Sequence, residues 1–87
     1  MSENSRIGFI GIMIEDLDQV EAINDAIHRS NSLVVARMGI PYRKRGVNII
    51  SVAVDAPQNK ISALAGQIGN LAGVNAKIAY SNVIAKE

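Results

Sequence analysis

Eighty-seven residues with a formal charge of +1 make one domain, with no general pull toward nucleic acid or a membrane surface. There is no cysteine, so neither a disulfide nor a thiolate metal site can form. The chain is 48% apolar yet has only three aromatic residues, Phe9, Tyr42 and Tyr80, so its core must be aliphatic. That much aliphatic surface in a short chain points to burial between subunits.

Met1 to Arg6 is polar and carries no signal-peptide pattern. The longest apolar run, Ile7 to Ile14, is far too short to span a bilayer, and a soluble cytoplasmic protein is expected. This run reads as the first strand. Ile7, Phe9 and Met13 face one way; Ile10, Ile12 and Ile14 face the other. Both faces are apolar, which predicts a strand covered on both sides.

A helix is expected next. Asp16 is its N-cap candidate, with Gln19 as the reciprocal capping-box partner. Val20, Ile23 and Ile27 recur at helical spacing and mark the buried face. Five of the eight acids lie between Glu15 and Asp25, and Arg29 falls in the last turn, both favourable to the helix dipole. Ser30, Asn31 and Ser32 end the helix.

Leu33 to Met38 reads as a second strand. The ten residues from Arg37 to Gly46, RMGIPYRKRG, then read as an irregular basic loop holding four of the nine cations. Loops on a rigid scaffold are where binding residues tend to sit. Val47 to Val54 is a third strand, with Ile50, Val52 and Val54 on one face and Val47, Ile49 and Ala53 on the other. Asp55 to Asn59 reads as a turn containing Pro57. A second helix is expected from about Lys60 to Leu71, with Ile61, Leu64, Ile68 and Leu71 as its core stripe and Gly73 as its stop. Val74 to Tyr80 is the fourth strand, and residues 82–87 read as a polar tail beyond a core of about 6–81.

Strand, helix, strand, strand, helix, strand is the order of a split βαβ, ferredoxin-like α+β sandwich: a four-stranded antiparallel sheet with two helices on one face. Its two central strands would be the first and third, the two that are apolar on both faces. The second sheet face would be bare in a monomer, so a homodimer or homotetramer through that face is expected.

No catalytic set stands out. His28 is the only histidine and has no placed acid or thiol partner, so neither a triad nor a transition-metal site within one subunit is expected. The acids of the first helix lack the spacing of a calcium loop and read as a solvated helix start. Gly66, Gly69 and Gly73 lie within and after a helix, and so are not a phosphate loop. Arg43, Lys44 and Arg45 either bind an anion or form a solvated hairpin tip, with Tyr42 able to stack on a ring. Arg37 lies inside an apolar strand, where a lone charge needs a partner or water. Candidate ligand or interface residues are therefore Arg37, Tyr42, Arg43 and Arg45, with Glu15 and Asp16 across a subunit boundary.

Three stretches carry a family resemblance: IGFIGI at 7–12 followed by Glu15-Asp16, the segment Arg37 to Gly46, and ISALAGQIG at 61–69 followed by Gly73-Val74. On these the chain resembles the small ACT-like proteins known as iron-only hydrogenase system regulators, over about Arg6 to Ser81. The resemblance implies a ferredoxin-like ACT fold similar to the C-terminal domain of the nickel-responsive regulator, and oligomers built through sheet contacts. The nickel regulator's histidine and cysteine ligands have no counterpart set here. Amino-acid-binding ACT domains place a glycine in the turn after the first strand, where this chain has Glu15-Asp16-Leu17-Asp18. The resulting expectation is a non-enzymatic, cofactor-free regulatory or small-ligand-binding protein. A nucleic-acid module using the basic segment and a scaffold for a protein partner are the alternatives.

Overall fold

Alternating aliphatic residues in two strands set the architecture. In the computed structural model, which describes residues 5–84, the chain forms β1 (Ser5–Ile14), α1 (Val20–Arg29), β2 (Val34–Tyr42), β3 (Val47–Pro57), α2 (Gln58–Gly69) and β4 (Val74–Ile84). The strands make one antiparallel sheet in the order β2-β3-β1-β4. This is the expected ferredoxin-like α+β fold, with β1 and β3 in the centre.

Both helices cover one sheet face. Ile10, Ile12 and Ile14 of β1 and Ile50, Val52, Val54 and Ala56 of β3 are buried there against Ile23 and Ile27 of α1 and Ile61, Leu64 and Ile68 of α2. Burying each of these isoleucine, leucine and valine side chains contributes about 1.5–3 kcal/mol, so this layer carries most of the stability. At the far edge, Arg6 ties three elements together. Its guanidinium stacks over the Tyr80 ring at 5.0 Å, and donates to Gln58 Oε1 at 3.1 Å and to the Ser81 carbonyl at 3.3 Å.

Several boundaries differ from the sequence expectation. β2 does not stop at Met38 but runs on to Tyr42, with Ile40 paired to Ile49 and Tyr42 to Val47. Gly39 and Pro41 disguise this extension, yet β2 is an edge strand, where a proline is tolerated. The expected ten-residue loop is therefore mostly strand. Its irregular part is a 3-10 turn, Arg43–Arg45, closed by Gly46 at φ +67°.

The Asp16–Gln19 capping box does not form. Asp16 instead caps a separate 3-10 turn, Leu17–Gln19, accepting from the Asp18 amide at 3.0 Å. No turn separates β3 from α2, because β3 runs on to Pro57 and α2 starts at Gln58. β4 continues past Tyr80 to Ile84, where it pairs with Arg6 beyond a register shift. The supposed tail thus begins as strand, and the rest of it lies outside the described residues.

Gly73 is not the stop of α2, since Asn70 occupies the C-cap and Gly73 lies in the next turn. It sits at φ +72°, and a Cβ there would lie 2.7 Å from Asp16 Cβ. The Gly73 carbonyl accepts from the amides of Glu15 at 2.8 Å and Asp16 at 3.3 Å. A left-handed backbone pressed against another chain segment leaves glycine as the only comfortable residue.

Candidate functional site

The sheet face away from the helices carries Ile7, Phe9 and Met13 from β1 and Met38, Ile40 and Tyr42 from β2, all of them exposed. Register explains the grouping. Met13, Ile49 and Ile40 fall in one row across β1, β3 and β2, and Phe9, Ala53 and Ala36 in another. Strand alternation sends each row to the open face.

At one end of this face lies a groove of about 560 Å³. Its floor is Met13, Val47 and Ile49; Glu15, Tyr42 and Arg45 stand around it. Three separate segments meet here. Glu15 follows the last residue of β1, Tyr42 ends β2, and Arg45 sits in the hairpin turn. A smaller cleft of about 170 Å³ shares Met13 and Glu15 and extends toward Gly73 and Asn75. Neither Glu15 nor Arg45 makes a side-chain hydrogen bond or ion pair among the described residues. A carboxylate, a guanidinium and a phenol around an aliphatic floor can orient a small amphipathic molecule. The groove lining holds no serine, cysteine or histidine to serve as a nucleophile.

The other expected site residues lie elsewhere. Asp16 does not line the groove; its Oδ1 accepts from the Asp18 amide and its own amide donates to the Gly73 carbonyl, which shapes the turn beside Glu15. Arg43 opens the hairpin turn, where its carbonyl accepts from the Gly46 amide at 3.2 Å, and it does not line the groove. Arg37 pairs with Val52 and so belongs to the helix-bearing face. Its Nη2 donates to Asn24 Oδ1 of α1 at 2.6 Å, and because this part of β2 is exposed, water also reaches the charge. Together the two residues line a cleft of about 260 Å³ at the β2 edge, with Gly39, Pro41 and Asn48. The structure therefore brings Glu15, Tyr42 and Arg45 together and separates Arg37 from them.

Sequence reasoning missed the groove floor as such. Met13, Val47 and Ile49 read as strand residues, and only the cross-strand register makes them neighbours. His28 is exposed on α1. Among the described residues no three His, Cys, Asp or Glu side chains group as a metal site. No described helix is long and apolar enough to cross a membrane.

Residues 6–78 match the model of the TM1266-like family, described as "Iron-only hydrogenase system regulator, putative". A solved structure of the uncharacterized protein TM1266 from Thermotoga maritima is similar, with a TM-score of 0.81 and 26% sequence identity. The likeness covers 87% of this chain and 96% of that one. No curated protein matches.

Proposed function

The chain belongs to the TM1266-like family, and from that premise we propose that it is a non-catalytic cytoplasmic regulator of an iron-only hydrogenase system. It works as a homo-oligomer that pairs its open sheet faces and holds a small molecule in the groove of Glu15, Tyr42 and Arg45.

One observation carries the assembly: six large apolar side chains share a single uncovered face, with Phe9 55% and Met38 58% exposed. Four strands about 4.8 Å apart, over about eight residues of about 3.3 Å each, present about 500 Å² per copy. Two such faces bury about 1,000 Å², the lower bound of a specific interface. The polar rim is compatible with a second copy. Asp55 of β3 and Lys77 of β4 also belong to the open face and have opposite charges. The unit is a homodimer, or a homotetramer containing the same face-to-face contact.

Regulation follows from position. The groove shares Met13, Ile49 and Tyr42 with the open face. A bound molecule therefore meets a different environment in the paired and unpaired states, and such a difference is what lets a ligand shift an equilibrium.

Native mass spectrometry of protein purified from its own cells reads assembly and ligand together. An even-numbered oligomer carrying a retained small molecule is the expected result. A monomer at micromolar concentration would refute the paired-face reading. A one-to-one complex with a different protein would transfer the face to that partner and make the chain a scaffold.

A further inference from the structure

A separate concavity lies on the helix layer, away from the open face and the groove. Between the end of α1 and the middle of α2 is a cleft of about 300 Å³. Arg29, Ser30 and Ser32 line one side, Lys60 and Gln67 the other, and the buried Leu64 is part of its wall. No carboxylate lines it. Neither Arg29 nor Lys60 makes a side-chain hydrogen bond or ion pair among the described residues.

From this we propose that the cleft binds a small phosphate-bearing molecule. Two unpaired cations on separate helices line one concave space, together with two hydroxyls and an amide. That set offers donors from several directions to a compact dianion, and charge-assisted bonds of this kind are about twice as strong as neutral ones. Lys60 stands in the first turn of α2, where the helix dipole disfavours a cation, so an anionic partner relieves an unfavourable placement. Two of the carbonyls that end α1, and that of its C-cap, are already engaged. Ala26 and Ile27 accept from the Ser30 amide at 3.2 and 3.1 Å, and Ser30 accepts from the Leu33 amide at 2.9 Å. The volume exceeds that of the anion alone and leaves room for a small organic body.

The test is a titration of the full chain with inorganic phosphate, followed by backbone amide NMR shifts, with ionic strength held constant by sodium chloride. Saturable shifts at Ser30, Ser32, Lys60 and Gln67 are expected, with affinity about tenfold weaker in Arg29→Ala and in Lys60→Ala. Both side chains are exposed, so the variants keep the fold. Shifts that never saturate, or that persist unchanged in the double variant, would overturn the site. Vesicles containing phosphatidic acid form a second arm. Sedimentation with them, without any response to free phosphate, would assign the cations to a membrane surface and overturn the small-molecule form.

Discussion

Phe9→Asp is the sharpest perturbation of the proposed interface. Phe9 is 55% exposed, and a phenylalanine presents about 200 Å², so about 110 Å² remains in water in the single chain. At about 25 cal/mol per Å², covering that area stabilises the pair by about 2.7 kcal/mol per copy. A two-fold contact contains Phe9 twice, which sets an upper bound near 5 kcal/mol. Incomplete burial and the ordering of interface side chains reduce it, and about 3 kcal/mol remains a sound expectation, or roughly a hundredfold in Kd. Aspartate adds the penalty of an unpaired buried charge to this loss. Sedimentation velocity over a concentration series is the assay, with Phe9→Ala as the milder variant and His28→Ala on the exposed part of α1 as the control. The monomer fold should survive, because Phe9 contributes little to the core beneath the helices. If Phe9→Asp sediments like the parent chain at every concentration, the face is not the interface and the area argument fails.

Gly73→Ala should destabilise the chain by about 3 kcal/mol in urea unfolding, combining the left-handed backbone penalty with the clash at Asp16 Cβ. Arg37→Ala should cost at most about 1 kcal/mol, since its bond to Asn24 is exposed. A double-mutant cycle with Asn24→Ala should recover that coupling, and additive effects would show that the bond contributes nothing. Arg45→Ala and Glu15→Gln should each strip the retained molecule from the oligomer in native mass spectra while leaving the oligomer itself in place. For nucleic acid, Arg43, Lys44 and Arg45 can neutralise about three phosphates, which limits the salt slope to about −3 and predicts no measurable binding near physiological ionic strength. A steeper slope would restore the nucleic-acid reading.

The sheet and helix order were legible because period-two alternation in Ile7–Ile14 and Val47–Val54 and the Ile61–Leu64–Ile68 stripe are strong local signals. The extension of β2 through Gly39, Ile40, Pro41 and Tyr42 was not. A glycine and a proline read as strand breakers, and only the edge position of β2, a property of the assembled sheet, makes them acceptable. Gly73 was recognised as a turn residue but credited to the helix before it, because its contact with Asp16 spans most of the chain. The candidate site was half legible. Charge and aromaticity singled out Glu15, Tyr42, Arg45 and Arg37, but which of them share a face depends on strand register. One residue of slip reverses that assignment.

Pro41 and the register shift between Val34 and Ala36 both fall on the outer edge of the sheet. An edge that lacks a donor and is locally twisted is a poor template for another strand. Edge-to-edge growth would repeat without end and produce ribbons, whereas two faces brought together by a two-fold axis use up their contact surface in one step. The proline that obscured β2 in the sequence thus acts against edge-to-edge polymerisation, and would favour the proposed closed pairing of faces over an open ribbon.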